Sequence, residues 1–485
     1  MENILEKVLT EFKAIAAIPR PSKHEQAIGQ YLAERLSSMG LKIERDPIGN
    51  VIAELEPSIG FENAPRVIMQ SHMDMVCVAD EGVEFNPLTD PIKLIRAEDY
   101  LYADGTSLGA DDGIGISIII YVLKQLVDNP DRKHGAIRAV FTVDEEAGMS
   151  GANALDVRYL NDAKYLLNCD SENCEELVIG SAGSVHIDFH RQIDWTKPTG
   201  SNAYRLKISG LKGGHSGEEI NAGRANAIKI LGDLMSMINK NGGKVELADI
   251  KGGKATNAIA DRADAVFVTV FDIDHLTPIM DFFNGRIKKI YGDADPNIKI
   301  AIEKTSRPTS TMSVKGSDQI FSLLKALRQG VISMATDELV ETSANIGIVS
   351  LNGDRLTIRY FPRSGINEKL IEIVNGCREM GDRLGFEIES SEPSAAWTEN
   401  KCSRLAHLMA DIFERQNGRA MKVKTIHAGL ECSYFYAKNP SLDIVSIGTT
   451  NENIHSPRER LKLSTVAVQV KLIEETLSEL SKINV

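Results

Sequence analysis

The sequence predicts an α/β protein in which a mostly parallel sheet with flanking helices is built from both ends of the chain. An α+β segment is inserted between the two ends. Three observations carry this expectation. Short apolar runs at Arg66–Gln70, Ala136–Val143 and Tyr165–Cys169 alternate with stretches of helical period, the pattern of strands buried on both faces. The same style returns near the C-terminus, with helical periods at Ser403–Glu414 and Thr465–Leu480 and strand-like runs at Met421–Ile426 and Asp443–Ile447. Finally, 485 residues exceed what one core supports, because single cores stop growing near ~250–300 residues.

Taken in order, the chain opens on an amphipathic helix with Ile4, Val8, Phe12 and Ile15 on one face. A second helix is predicted over Glu25–Met39, with Ile28, Leu32, Leu36 and Met39 on one face and Gly40 as its stop. The apolar run Ile114–Leu126 reads as a helix, and Gly115, Ser117 and Lys124 make it too short to span a bilayer. The middle has a different rhythm. Strand Tyr204–Ser209, helix Ala222–Asn239, strands Ala255–Ile259 and Ala263–Val270, and helix Leu276–Tyr291 come first. The order then repeats as strand Ile298–Glu303, helix Ser317–Val331, strands Ser343–Ser350 and Arg355–Tyr360, and helix Glu368–Leu384. Each half resembles a split β-α-β unit, so the insertion is expected to be two side-by-side β-α-β-β-α units. The expected boundaries are 1–186, 187–390 and 391–485.

Composition excludes several classes. Hydrophobic residues are 42%, charged residues 25% and aromatics 6%, which is a globular composition rather than a disordered or fibrous one. The net charge of −13 supplies no basic stripe for phosphates, so nucleic acid is excluded as the main partner. No basic-then-apolar leader opens the chain, and the six scattered cysteines form no CxxC pair. A cytoplasmic protein with reduced thiols, and no membrane partner, is the expectation.

Four clusters carry chemistry, each just after a predicted strand or at a helix start. They are His72-Met73-Asp74, Gly109-Ala110-Asp111-Asp112-Gly113, Glu145-Glu146-Ala147-Gly148 and Asp170-Ser171-Glu172. Each has a plain structural alternative. Asp111 or Asp112 is as readily a helix cap, Glu145–Glu146 a solvated pair, and His72 a hydrogen-bonded core histidine. Ligands in open α/β sheets gather at the carboxyl ends of strands, so these loops are expected to meet in one crevice. Together they form a mixed N/O donor set suited to zinc or related divalent metals. Carboxylates packed that closely repel unless cations neutralise them.

In order and spacing these motifs resemble the cocatalytic metallopeptidases that include carboxypeptidase G, aminoacylase and carnosinase. The resemblance runs nearly end to end. It is supported by Gly213-Gly214-His215-Ser216-Gly217, Thr256-Asn257, Pro362-Arg363-Ser364, His427-Ala428-Gly429-Leu430-Glu431 and His455-Ser456-Pro457. It implies a catalytic domain made of both chain ends, an inserted lid and dimerisation domain, and two divalent ions. Zinc is the first expectation for those ions, and cobalt and manganese also suit the donors. Asp111 is implied to bridge the ions, with His72 and Asp170 completing one shell and Glu146 and His455 the other. Asp112 stands where some relatives carry Asn, which leaves the bridging position untouched.

Glu145 is implied as the general base acting on a metal-bridging water, and Asp74 as the group orienting His72. His215 is implied to stabilise the oxyanion, with Asn257 assisting, although locally His215 reads as an exposed residue of a Gly-rich turn. Arg363 is implied to hold a peptide carboxylate bidentately, against a surface ion pair as the local alternative. Glu431 faces either a substrate's amine or imidazole or a purely structural role, and is not assigned to the site. The implied reaction is hydrolysis of unblocked dipeptides, including those ending in histidine such as carnosine. Tripeptide hydrolysis and N-acyl-amino-acid deacylation stay open within the same chemistry, and a non-enzymatic metal-binding scaffold stays open outside it. Because the doubled lid carries His215 and Arg363 in one chain, catalysis is expected not to need the partner of a homodimer formed through that domain.

Overall fold

The computed structural model describes residues 2–483. The chain divides into two compact units. The first comprises Met1–Ser181, Trp397–Thr425 and Leu430–Val485, and the second Ala182–Ala396 with the short return Ile426–Gly429.

The first unit is organised by a central parallel core. Strand Val67–His72 lies between Ile137–Thr142 and Tyr165–Asn168, and Asp443–Ser446 pairs with Tyr165–Asn168, all in parallel. All six residues of Val67–His72 and of Ile137–Thr142 are buried, including the polar Gln70, Ser71, His72, Arg138 and Thr142. Antiparallel strands Lys42–Arg45 and Val51–Leu55 extend one side, and Glu176–Ser181 and Lys422–Ile426 the other, to complete an eight-stranded sheet. Helices Glu2–Ala16, Ala110–Asp128, Arg404–Asn417 and Leu463–Ser481 pack in the same core, with Phe12, Ile118, Phe413 and Ile473 closed from solvent. The predicted apolar helix is therefore buried at its centre, and no helix among the described residues is long and apolar enough to cross a membrane. His72, Thr142 and Asn168 end adjacent parallel strands, so the segments that follow them emerge on the same edge.

The second unit is a ten-stranded antiparallel sheet. Its main path runs Lys299–Lys304, Asn202–Ser209, Ala263–Thr269, Glu246–Gly252, Val340–Asn352, Arg355–Ser364, Ile187–Gln192 and Glu387–Ser390. Helices Ala227–Lys240, Ile273–Tyr291, Val314–Ala326 and Asn367–Leu384 share its core. Strand Lys299–Lys304 pairs with Asn202–Ser209, so it closes the half that precedes it in sequence.

The helix expected over Ser317–Val331 spans Val314–Ala326 and is followed by strand Gly330–Met334. Two further elements differ from the sequence expectation, and both have a local cause. Residues 255–259 are not a strand. Asn345 Nδ2 donates to the carbonyls of Thr256 (3.0 Å) and Ala258 (2.8 Å), which removes those acceptors from a ladder. The strand lies earlier, at Glu246–Gly252, where its polar residues disguise it. Glu246 is buried because its carboxylate accepts from the Thr199 and Gly200 amides and the Thr199 hydroxyl. The helix expected from Ala222 begins at Ala227, because Asn226 caps it by accepting from Ile228 N (2.9 Å) and Lys229 N (3.1 Å). The same side chain donates to the Ile346 carbonyl at 2.9 Å. Asn226→Ala is expected to lower stability by about 2 kcal/mol, since it removes a cap and leaves buried groups unpaired. Urea unfolding followed by circular dichroism checks this, and an unchanged midpoint contradicts it.

Candidate metal centre

The four motifs of the first unit converge at the carboxyl ends of its parallel strands. His72 is the last residue of its strand and is fully buried. Its Nε2 lies 3.0 Å from Asp111 Oδ1 and 3.3 Å from Asp170 Oδ1. From the other side, His455 Nε2 lies 3.0 Å from Asp111 Oδ2 and 2.9 Å from Glu146 Oε2. The two oxygens of Asp111 thus face two different histidines. Asp111 reaches this position from the first turn of Ala110–Asp128, which follows Gly109 at φ 69°. A Cβ at Gly109 would stand 2.6 Å from Met75 Sδ and 2.8 Å from Arg20 Nη2, so only glycine fits.

Asp74 lies beside His72 but has stronger partners elsewhere. The His72 Nδ1 to Asp74 Oδ1 distance is 3.4 Å. Asp74 Oδ1 accepts from Glu145 N (2.9 Å), and Oδ2 accepts from Glu146 N (3.1 Å) and from Ser22 Oγ (2.7 Å). The carboxylate after His72 therefore fixes the backbone that carries Glu145 and Glu146.

The electrostatics are those of crowded acids. Burial pushes the Glu145 and Asp112 carboxyls well above the usual range, with Asp170 adding to both. Burial lifts Glu146 to about 7, helped by the charge of Asp111, and lifts Asp170 to about 6 against the pull of His72. Burial also acts against ionised Asp111, yet the two flanking histidines hold it below the ordinary carboxylate range. Burial likewise opposes the charge on His455, but Asp111 and Glu146 raise it to about 11. Protons are one way to balance such a cluster. Divalent cations are the other, and they free both Nε2 atoms to act as ligands. Ligand atoms of Asp111, Glu146 and His455 all lie within 4.8 Å of one another, as do those of His72, Asp112 and Asp170. Imidazole nitrogens and carboxylate oxygens so arranged fit a pair of divalent ions.

Several residues that build this centre were not legible as site residues. Asp112, set aside in the sequence, is buried: its carboxylate accepts from Ser71 Oγ and turns toward His72 and Asp170. Glu431 is fully buried, with Oε2 accepting from Gln70 Nε2 (2.6 Å) and Thr142 Oγ1 (2.7 Å) and with Oε1 unpartnered. Gln70 and Thr142 sit on the strands that deliver His72 and the Glu145–Glu146 pair, so Glu431 joins those strands beneath the centre. Burial pushes its carboxyl up to about 8. Only the position of Glu431 in His427-Ala428-Gly429-Leu430-Glu431 flagged it in sequence.

His215, Asn257 and Arg363 belong to the second unit. Arg363 is buried, with Nε unpartnered and the guanidinium 4.7 Å over the Phe361 ring. Burial draws its pKa down to about 10. A Cβ on Gly217 would lie 2.7 Å from the His427 carbonyl, 3.0 Å from His215 Cε1 and 3.4 Å from Arg363 Nε. His215 and Arg363 therefore flank one glycine. His427, missed in sequence, backs them with Nε2 2.7 Å from Ser343 Oγ. Burial and the charge of Arg363 press its pKa down to about 4, keeping it neutral. Asn257 is exposed, and its carbonyl accepts from Ser216 N at 2.8 Å.

Residues 68–479 match Peptidase family M20/M25/M40. The cytosol non-specific dipeptidase of Escherichia coli (strain K12) is 31% identical over 473 residues, spanning 97% of this chain and 96% of that protein. The crystal structure of aminoacylhistidine dipeptidase from Vibrio alginolyticus superposes with a TM-score of 0.82 at 31% identity, covering 98% of this chain and 96% of that one. A tripeptidase from Staphylococcus aureus, at 17% identity, 99% coverage of both chains and a TM-score of 0.58, shares the fold.

Because the Glu431 carboxyl is raised to about 8, the wild type is expected to lose stability relative to Glu431→Gln as pH rises toward 8. The native state keeps this proton up to about 8 while the unfolded chain releases it near 4.5, so stability falls across that window and levels off above it, whereas Gln never ionises. Thermal midpoints of both proteins at pH 6.5 and 9 check this. A difference that stays constant, or moves in favour of wild type, contradicts it.

Proposed function

The chain belongs to peptidase family M20/M25/M40, and on that premise we propose that it hydrolyses unblocked dipeptides using two divalent ions held by its first unit. The observation that carries the reading is the placement of Asp111 between His72 and His455, one carboxylate oxygen toward each, with Glu145 next to Glu146. His72, Asp111 and Asp170 would hold one ion, and Asp111, Glu146 and His455 the other. Zinc is the ion we assign, with cobalt and manganese as workable substitutes.

When bound, the ions supply a Lewis acid for the scissile carbonyl and lower the pKa of a water toward ~7. The chain's own groups do the rest. Glu145 takes a proton from the attacking water and returns it to the leaving amine nitrogen, so that one water is added across one C–N bond. Asp74 fixes where Glu145 starts by accepting from its backbone amide. In the second unit we assign His215 and Asn257 to the carbonyl oxygen as it gains charge. Arg363, buried and with a free Nε, is assigned to the peptide's C-terminal carboxylate. Substrates ending in histidine, such as carnosine, fall within this class, consistent with the aminoacylhistidine dipeptidase superposition. A cytosolic location and a homodimer formed through the second unit complete the reading.

Glu145→Gln is expected to keep two ions per chain while turnover of a dipeptide falls by at least ~10². Metal analysis beside initial rates tests this, and near-wild-type turnover refutes the base assignment. His455→Ala is expected to lose one of the two ions, so an unchanged stoichiometry refutes its place as a ligand. Rates on carnosine, other dipeptides, a tripeptide and an acetylated amino acid test the substrate class. The free dipeptides are expected to be turned over fastest, and preference for the acetylated compound overturns that assignment.

A further inference from the structure

Two buried charges grip the segment that carries Asp111, and neither is a ligand or a proton carrier in the reading above. Arg20 is 1% exposed. Its Nη1 donates to the carbonyls of Met73 (2.9 Å) and Asp74 (2.7 Å), and its Nη2 to the carbonyl of Gly109 (2.5 Å). One rigid fork therefore ties the His72 loop to the Asp111 loop. A Cβ at Gly113 would stand 2.5 Å from the same Nη2, so glycines on both sides of Asp111 make room for it. Burying a guanidinium against carbonyls alone is costly, and the neighbouring acids Asp74, Glu459 and Asp112 offset that cost.

Glu459 is 2% exposed and answers from the other side. Its Oε2 accepts from Leu108 N (2.8 Å) and Gly109 N (3.0 Å), and its Oε1 from Ala110 N (2.8 Å) and Asp111 N (3.3 Å). These are successive amides of the segment leading to Asp111. Glu459 stands four residues after His455, so it ties the His455 loop to the Asp111 loop.

We propose that Arg20 and Glu459 are paired positioning residues for Asp111, each governing one cation position. Arg20 joins Asp111 to His72, and so sets the site completed by Asp170. Glu459 joins Asp111 to His455, and so sets the site completed by Glu146. The proposal rests on the two-ion reading. It goes further in making the two affinities separately adjustable from outside the ligand set. A residue that merely stabilised the fold would lower both affinities together or neither.

The test uses full-length wild type, Arg20→Lys, Glu459→Gln and His455→Ala, stripped with a chelator and titrated with Co2+. Calorimetry and the visible absorption of bound cobalt follow each binding step. His455→Ala identifies which step belongs to the His455 site. Glu459→Gln is expected to weaken that same step by ~10–100-fold and Arg20→Lys to weaken the other by a similar factor, the usual cost of removing a group that orients a ligand. Glu459→Asp, which keeps the charge, is expected to recover part of the loss, and it replaces Glu459→Gln should that variant fail to fold. In Arg20→Ala, added methylguanidinium is expected to restore the affected step. Unchanged affinities in both variants, or equal loss at both steps in each, overturn the proposal while leaving the two-ion reading intact. Fewer than two Co2+ bound by wild type overturns the reading itself, and the proposal with it.

Discussion

Repulsion among buried carboxylates is the constraint around which the first unit is built. Asp111, Asp112, Glu145, Glu146 and Asp170 meet at one sheet edge together with Asp74, and His72 and His455 lie among these acids. Like charges this close and this dry cannot all ionise unless something positive lies among them. Balance by protons leaves the histidines charged and occupied. Balance by divalent cations would turn the same groups into ligands. The acidity that reads as surface solubility in the composition is in part concentrated here.

The fold supplies what such a cluster needs, namely fixed backbone. Adjacent parallel strands end in register at His72 and Thr142, and Asn168 ends opposite Gln70, so three of the acid-bearing segments start from hydrogen-bonded positions. Below them runs a row of buried polar side chains in which Asn168 donates to Gln70 and Gln70 and Thr142 donate to Glu431. Asp74 holds the amides of Glu145 and Glu146, while Arg20 and Glu459 hold the segment of Asp111. The links made by Asp74, Arg20 and Glu459 run from a side chain to backbone in another loop. Such links orient a ligand without competing for the metal. The second unit repeats the device in a smaller form, with Gly217 leaving room for His215, Arg363 and the His427 carbonyl.

The α/β architecture was legible because short, largely apolar runs such as those at Val67–His72 and Ile137–Thr142 alternate with stretches of helical period. Legibility ended where polar side chains decide the backbone. Glu246–Gly252 hides a strand behind a buried carboxylate, and Asn345 withholds from residues 255–259 the acceptors a strand requires. The residues that meet at this sheet edge were readable because their motifs are local. Arg20, Glu431 and Glu459 were not, because each acts on segments roughly 50 to 360 residues away and leaves no periodic or spaced pattern near itself. Asp74 was read from its neighbour His72, and the structure shows that it spends its stronger hydrogen bonds on Glu145 and Glu146.

The central claim is that Asp111 is shared by two cations. Anomalous diffraction from crystals grown with Zn2+ tests it directly. The account predicts two peaks ~3.5–4 Å apart. One should lie among His72, Asp170 and Asp111 Oδ1, and the other among His455, Glu146 and Asp111 Oδ2. A single peak, or two peaks with Asp111 bound to only one of them, would contradict it.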